Sequence, residues 1–235
     1  MTEGPRGWGD PLHAAVLDAA GVGPGTTLLD VGCGAGLFAR AAADRGAVVT
    51  GIDIDHAAVR AAAAEVPAGS FAVADAVRPP PGRFDVVTAV QLLPHVADPG
   101  AVLAAAARSA PVVAFTVWGR PEECEIRLLG EALEPWLGPR APAAPLTDPE
   151  RVRQLAERAG LDVTRVAEVV CRFDYADDDE LIGPLLDSGL GRAVARSGGP
   201  RALRAAVLER LEPYRTAAGG YRLSNLFRVV VGRTA

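Results

Sequence analysis

The stretch that decides the fold runs Leu28-Leu29-Asp30-Val31-Gly32-Cys33-Gly34-Ala35-Gly36. Its apolar start predicts a buried strand, and its glycines predict a tight turn into a helix, because without a Cβ the backbone can turn sharply and approach a ligand. A dinucleotide site of the G-x-G-x-x-G type needs its third glycine at position 37, which is Leu37 here. Asp30 would repel a diphosphate but suits an ammonium group. The turn therefore predicts a ligand with a cationic end.

Strands and helices alternate around this turn. Apolar runs predict strands at 26–31, 48–54, 70–74, 84–90 and 112–118, and helices at 13–20, 37–45, 57–65 and 100–109. Asp55 and Asp98 stand where they would cap the helices that follow them. Continuously apolar strands separated by helices predict an α/β fold, in which a parallel sheet is covered by helices on both faces.

The second half of the chain has a different pattern. It predicts helices at 121–136 and 147–158, strands at 163–175 and 226–231, and a Pro- and Ala-rich linker that reaches Pro145. The segment from Asp177 to Gly220 is long for a connection between strands, so it is an embellishment or a lid. We expect a single domain over 1–235, with a core at 24–118 and helical lid insertions at 119–146 and 177–220.

Composition and charge exclude several classes of protein. With 49% hydrophobic and 23% charged residues, the chain has the composition of an ordinary globular protein. Its purest apolar stretch, 111–118, is far shorter than the ~20 residues of a membrane-spanning helix. A net charge of −5 disfavours a dedicated nucleic-acid binder, which needs a basic face. The first residues lack the apolar region of a signal peptide, so we expect a cytoplasmic protein.

Cysteine and lysine usage narrows the chemistry. Cys33, Cys124 and Cys171 are far apart and form neither a disulfide framework nor a zinc pattern, so we expect reduced, structural cysteines and no metal. All basic residues are arginine, which removes every lysine-based mechanism.

Four motifs follow one another along the chain: the acidic residue and G-x-G-x-G turn at 30–36, Asp53 at the end of the second strand, Ala74-Asp75-Ala76, and Phe84-Asp85-Val86-Val87 with Gln91. In this order they resemble the class I S-adenosylmethionine-dependent methyltransferases, and in particular a small-molecule branch like that of ubiquinone and menaquinone biosynthesis. The resemblance covers about residues 26 to 118. It implies a Rossmann-like, doubly wound, mostly parallel seven-stranded sheet whose last strand is antiparallel.

The same resemblance implies that the cofactor is S-adenosylmethionine, with S-adenosylhomocysteine as product. The cofactor-binding residues that it implies are Asp30, Gly32, Cys33, Gly34, Gly36, Asp53, Ile54, Asp75, Ala76 and Gln91. The glycine turn would hold the methionine part, Asp53 the two ribose hydroxyls and Asp75 the adenine amino group. Structural alternatives stay open. Asp30 could be a solvated strand end, Asp53 and Gln91 could cap helices, and Asp75 could precede the Pro-rich loop without a ligand. Cys33 is expected to be a small filler that contributes its backbone N–H.

Methyl transfer from a sulfonium is an in-line displacement, so aligning the reactants and excluding water are the main tasks. A base is needed only when the acceptor carries a proton to lose. His95, just after the fourth strand, is the candidate because histidine titrates near neutrality, although it could equally bond a loop backbone. The candidate substrate-binding residues are Trp118, Glu122, Tyr175 and Tyr221.

Several subclasses and rivals can be compared on the motifs. An adenine-N6 nucleic-acid enzyme would have an Asn/Asp-Pro-Pro motif where this chain has Gln91-Leu92-Leu93-Pro94, and the metal-dependent catechol type needs an asparagine in its cluster, whereas Asn225 is the only one here. We expect a small-molecule acceptor, no nucleic acid, no membrane, and a monomer or homodimer. Two rivals keep the same pocket: a cyclisation or rearrangement without methyl transfer, and a non-catalytic binding protein. A nicotinamide reductase is disfavoured by Leu37.

Overall fold

A computed structural model describes residues 4–137, 145–188, 191–194 and 199–234. The strands are β1 (Thr27–Val31), β2 (Val48–Asp53), β3 (Ser70–Val73), β4 (Val86–Ala89), β5 (Val112–Trp118), β6 (Asp162–Tyr175) and β7 (Tyr221–Arg233). The longer α-helices are α1 (Asp10–Ala20), α2 (Leu37–Asp44), α3 (His56–Glu65), α4 (Pro99–Ser109), α5 (Arg127–Leu137), α6 (Pro149–Arg158), α7 (Asp178–Asp187) and α8 (Pro200–Leu211). The predicted linker before Pro145 lies mostly outside the described residues.

One seven-stranded sheet has the order β3-β2-β1-β4-β5-β7-β6. Strands β1 to β5 pair in parallel, and β7 runs antiparallel to β5. This confirms the predicted fold class. The strand order reverses between β1 and β4, and in sheets of this kind ligands bind at such a reversal, beside the carboxyl ends of the strands. The glycine turn follows the carboxyl end of β1, so the fold places it at this crevice.

The residues that precede the helices explain where the helices begin. Asp55 accepts a hydrogen bond from the Ala57 N–H, and Asp98 accepts one from the Ala101 N–H. Both predicted caps are therefore confirmed. Each satisfies a backbone donor that the first helical turn leaves without a partner.

The predicted helix over 121–136 is wrong in its first part. Residues Pro121–Glu123 form a 3₁₀ turn, and α5 begins only at Arg127. Between them, Cys124 forms an isolated bridge with Asn225, and the Ile126 N–H donates to Asn225 Oδ1 at 2.9 Å. This segment pairs with β7 instead of continuing as a helix. The last strand is accordingly longer than the predicted 226–231.

The described residues fall into two units. The larger, here named the core unit, comprises Pro11–Trp118, Ala144–Val169 and Phe227–Ala235. Its centre is formed by strand residues that have no exposed surface and by the helices that cover them; they include Leu29, Ile52, Val87, Val113, Phe115 and Leu103. The smaller, here named the helical unit, comprises Met1–Asp10, Gly119–Ala143 and Val170–Leu226.

The helical unit has its own apolar interior and a polar cluster. Leu133 on α5 and Leu203, Val207 and Leu211 on α8 are fully buried. Asp178, at the start of α7, accepts hydrogen bonds from the Tyr221 hydroxyl at 2.8 Å and from Arg215 at 3.0 Å. Arg204 on α8 also pairs with Asp178 at 3.3 Å. We name Asp178, Arg204, Arg215 and Tyr221 the Asp178 cluster.

None of the helices in the described part of the chain combines the length and the apolar character needed to span a bilayer.

Candidate functional site

The glycine turn is held by backbone hydrogen bonds to the neighbouring strand. The N–H groups of Gly32 and Cys33 both donate to the Ile52 carbonyl, at 2.8 and 2.9 Å. Gly32, Gly34 and Gly36 have φ values of +74°, +52° and +89°. Residues with a Cβ rarely adopt this left-handed region, so the turn depends on glycine at all three positions.

A Cβ added to each glycine would meet different surroundings. At Gly36 it would lie 2.8 Å from the backbone Cα of Ala62, so this glycine lets α2 and α3 approach. At Gly32 it would lie 2.6 Å from Leu92 Cδ1. At Gly34 it would meet no described atom within 4 Å. The open side of Gly34 is therefore where a ligand can approach the backbone.

Asp53 ties the turn to the end of β2. One carboxylate oxygen accepts from the Gly34 N–H at 3.0 Å, and the other accepts from the Asp55 N–H at 2.9 Å. A carboxylate has about four acceptor positions, so each oxygen keeps capacity for another donor. Asp53 is half-buried, and the following Ile54 exposes 74% of its surface. An acceptor pair beside an exposed apolar side chain suits a nucleoside, whose ribose donates and whose base is flat and apolar.

Asp30 lies within β1 and is 2% exposed. Burial raises its pKa to about 7, while a hydrogen bond from Thr88 Oγ1, at 2.9 Å, opposes that shift and the nearby Asp53 carboxylate adds to it. A nearby cation would stabilise the ionised form of this buried carboxyl group. The location of Asp30 at the base of the turn agrees with an ammonium ligand.

The end of β3 lies beside the end of β2, because the Ala74 N–H donates to the Asp53 carbonyl. Asp75 is exposed, and its Oδ1 accepts from the Val77 N–H at 3.1 Å. Ala76 is half-buried. Both residues thus follow the same edge of the sheet as the turn, and their proposed contact with an adenine stays a prediction.

Gln91, two residues after the end of β4, is the one non-glycine residue with a positive φ, +55°, among the described residues. Its backbone N–H and its side-chain Nε2 both donate to the hydroxyl of Thr116, at 2.8 and 2.9 Å. It is not a helix cap, since the helix α4 is capped by Asp98. Sequence reasoning missed Thr116 and Thr88. The available signal was a threonine inside each of two otherwise apolar strands.

Cys33 is buried, and burial raises the pKa of its thiol to about 12, with smaller contributions from Asp30 and Asp53. The thiol therefore stays protonated near neutral pH and is a poor nucleophile. Within the described residues, no group of His, Cys, Asp and Glu side chains is arranged to hold a metal ion.

His95 closes a 3₁₀ turn at Leu93–His95, where its backbone N–H donates to the Leu92 carbonyl. Partial desolvation lowers the pKa of its imidazole below the usual value. The neutral ring, which can accept a proton, is therefore favoured near pH 7. The catalytic role of His95 stays a prediction.

The four candidate substrate residues lie in both units. Trp118 ends β5 in the core unit, and its ring contacts Phe227, with centroids 4.3 Å apart. Glu122 is exposed in the helical unit, whereas Tyr175 is buried there and burial raises the pKa of its phenol to about 12. Tyr221 is also buried, and its hydroxyl already belongs to the Asp178 cluster. Their substrate contacts stay predictions.

Comparison with known proteins gives consistent matches. A family model described as a methyltransferase domain matches residues 5–166, which is more than half of the chain. A ubiquinone biosynthesis O-methyltransferase of Thiobacillus denitrificans is 39% identical over 106 residues, which are 42% of this chain and 46% of that protein. The chain thus spans about half the length of this curated relative.

Solved structures agree at the level of the fold. Magnesium protoporphyrin IX methyltransferase (ChlM) of Synechocystis PCC 6803, with bound SAH, has a TM-score of 0.57 and 19% identity, covering 94% of this chain and 80% of that one. The (4+2)-cyclase SpnF has a TM-score of 0.60 and 21% identity, covering 96% and 81%. At these identities the likeness extends to the fold alone.

Proposed function

The chain belongs to the methyltransferase domain family, and on that premise we propose that it binds S-adenosylmethionine and transfers its methyl group to a small-molecule acceptor. The observation that carries the proposal is the hydrogen bond that the Gly34 N–H donates to the Asp53 carboxylate, at 3.0 Å. This bond places a glycine whose backbone a ligand can approach next to a carboxylate that can accept further hydrogen bonds. The exposed side chain of Ile54 follows directly in the sequence. These features suit a nucleoside with an amino-acid tail.

In this proposal, each part of S-adenosylmethionine is bound by different residues of the site. Asp30 attracts the ammonium group, the turn from Gly32 to Gly36 supplies close backbone contact, and Asp53 accepts from the ribose hydroxyls. Ile54 and Ala76 offer apolar surface to the base, next to Asp75. A diphosphate is disfavoured, because the carboxylates of Asp30 and Asp53 would repel it.

When bound, S-adenosylmethionine supplies a methyl group made electrophilic by the sulfonium. The acceptor atom forms its bond to the methyl carbon while the sulfur–carbon bond breaks and its electron pair returns to sulfur. Positive charge disperses in this step, so alignment and exclusion of water are the main contributions of the protein. Where the acceptor is a hydroxyl or an amine, neutral His95 takes the released proton.

The binding test measures the affinity for S-adenosylhomocysteine by titration calorimetry. We expect one site per chain and no comparable binding of NADP. Asp53→Ala should weaken binding by about 1.5 to 3 kcal/mol, the range for hydrogen bonds to a charged group. Asp44→Ala is the matched control, because Asp44 is an exposed residue of α2 whose side chain forms a long ion pair with Arg40, at 3.8 Å. Equal affinities of the two variants would contradict the assignment of Asp53.

A chemical test separates methyl transfer from its rival, a cyclisation or rearrangement that uses the same pocket. After incubation with S-adenosylmethionine and an acceptor, methyl transfer leaves S-adenosylhomocysteine and an acceptor heavier by one methyl group. Mass spectrometry of the mixture detects both. Conversion of the acceptor with unchanged cofactor would support the rival, which the relatives do not favour.

The proposal also covers the cellular location, the oligomeric state and the partners of the protein. We propose that it acts in the cytoplasm, as a monomer or homodimer, and without nucleic acid. Its net charge of −5 supports the last point, because a nucleic-acid surface requires basic charge. The segments 119–146 and 177–220 are proposed to contribute to acceptor binding. Light scattering after size-exclusion chromatography measures the oligomeric state.

A further inference from the structure

The strained backbone of Gln91 requires something to hold it. A left-handed conformation is unfavourable for a residue with a Cβ, and such residues persist where the surrounding structure fixes them. Gln91 follows the last residue of β4, Ala89, by two positions, at the edge of the sheet where the strand order reverses. The conformation therefore lies beside the crevice in which the ligand is proposed to bind.

The hydroxyl of Thr116 provides that hold. Thr116 lies in β5, the strand next to β4, and is completely buried. Its oxygen accepts from the backbone N–H of Gln91 at 2.8 Å and from the side-chain Nε2 at 2.9 Å. A hydroxyl oxygen has two acceptor positions, so Gln91 uses both. Main chain and side chain of one residue are thus fixed by a single atom.

Leu92, the residue after Gln91, connects this interaction to the glycine turn. Leu92 packs so closely over Gly32 that a Cβ there would lie 2.6 Å from Leu92 Cδ1. Thr116 therefore sets the backbone of Gln91, which directs Leu92 onto Gly32. The turn is therefore held both by its hydrogen bonds to the Ile52 carbonyl and by this contact with Leu92.

We infer that Thr116 is a positioning residue, whose hydroxyl fixes the left-handed Gln91 and so holds the glycine turn in its ligand-binding form. The inference rests on the proposed function, because it concerns the same cofactor site. Thr116 acts through Gln91 and Leu92.

The first experiment compares three variants by titration calorimetry with S-adenosylhomocysteine and by denaturant unfolding. Thr116→Val removes the acceptor with little change of shape and should lower the affinity by about tenfold, the scale of one or two hydrogen bonds. Thr116→Ser keeps the hydroxyl and should stay within about twofold of the wild type. Thr164→Val is the control, since Thr164 lies in β6 and its hydroxyl donates to the Val231 carbonyl at 3.3 Å.

If the role of Thr116 were purely structural, Thr116→Val would lower the stability while its affinity, like that of Thr164→Val, stayed unchanged. That result would overturn the inference, provided that the wild type binds. Absence of binding by the wild type would instead refute the proposed function.

The second experiment uses glycine at position 91, where the left-handed backbone carries no side-chain strain. In the Gln91→Gly background, Thr116→Val should change the affinity by less than about twofold, because less remains to be held. An undiminished tenfold loss would overturn the inference. If Thr116→Val alone does not fold, recovery of folding in the double variant supports it, and failure of both to fold overturns it.

Discussion

At the scale of the residue, Asp30 has a charge that changes close to neutral pH. Burial raises its pKa to about 7 in the folded chain, from 3.8 for the unperturbed carboxyl. Between these values the folded state keeps a proton that the unfolded state has lost. The contribution of Asp30 to stability is therefore complete below about pH 4 and is lost as the pH rises to about 7.

The measurement is the free energy of unfolding of the wild type minus that of Asp30→Asn, between pH 4 and pH 8. Because asparagine does not ionise, this difference should fall as the pH rises to about 7 and become constant above that value. A cation bound beside Asp30 favours the carboxylate, so binding of S-adenosylhomocysteine near pH 7 should also release protons, which calorimetry in buffers of different ionisation enthalpy detects. A stability difference independent of pH would contradict the assigned pKa.

The sequence predicts Asp30 and Asp53 better than it predicts the threonines that surround them. An acidic residue at the end of an apolar strand is visible as an interruption, and the rules for parallel sheets place strand ends together. Thr88 and Thr116 lie inside apolar strands, and their contacts depend on the register between β4 and its neighbours, Asp30 opposite Thr88 and Ala89 opposite Phe115. Pattern alone does not give that register.

At the scale of the element, the glycine turn must both let α2 pack against α3 and leave space for a ligand. Substitutions at Gly36 and Gly34 test these two requirements separately. Gly36→Ala would place a Cβ 2.8 Å from the Ala62 backbone, and Gly34→Ala would place one in open space. Both keep the cost of a left-handed residue, about 1 to 2 kcal/mol. Gly36→Ala should therefore lower stability by clearly more than that amount, because α2 and α3 must also move apart.

For ligand binding, we expect the larger effect from Gly34→Ala and the smaller one from Gly36→Ala. The methyl group of Gly34→Ala enters the space where the proposed cofactor approaches, so its affinity for S-adenosylhomocysteine should fall by more than tenfold, beyond what its loss of stability explains. Denaturant unfolding and calorimetry on both variants measure the two effects. Normal affinity in folded Gly34→Ala would place the ligand elsewhere.

Helix boundaries show where local sequence determines an element and where it does not. Asp55 and Asp98 cap their helices through their own side chains, so the interaction is local and was predictable. The start of α5 depends on Asn225, about a hundred residues away, whose amide oxygen takes the Ile126 N–H. The apolar periodicity of 121–136 carries no information about this distant acceptor.

At the scale of the whole molecule, the proposed cofactor residues and the Asp178 cluster belong to different units. The residues from Asp30 to Gln91 lie in the core unit, whereas Asp178, Arg204, Arg215 and Tyr221 lie in the helical unit. The resemblance of 26–118 to a known family made the core predictable. In the rest of the chain the sequence predicts helices and two strands but not the Asp178 cluster, because this cluster combines residues from α7, α8, β7 and the segment between α8 and β7, which no short motif connects.

Loss of the Asp178 carboxylate should therefore affect the helical unit selectively. The Tyr221 hydroxyl, followed by Arg215 and Arg204, holds the pKa of Asp178 below its usual value, so its contribution to stability is present at neutral pH and is lost as the pH falls. In Asp178→Asn, hydrogen exchange should become faster in 178–187 and 200–211, while the affinity for S-adenosylhomocysteine stays within about twofold of the wild type.

Asp174→Asn is the matched control, because Asp174 forms an ion pair with Arg222 in which both side chains are 54% exposed, and exposed pairs contribute little. Its exchange rates should equal those of the wild type. Faster exchange in 27–53 of Asp178→Asn, or a large loss of cofactor affinity, would contradict the assignment of the cofactor site to the core unit alone. Acceptor turnover, measured on the same variants, then tests the helical unit: a rise in the acceptor KM limited to Asp178→Asn supports its proposed part in acceptor binding.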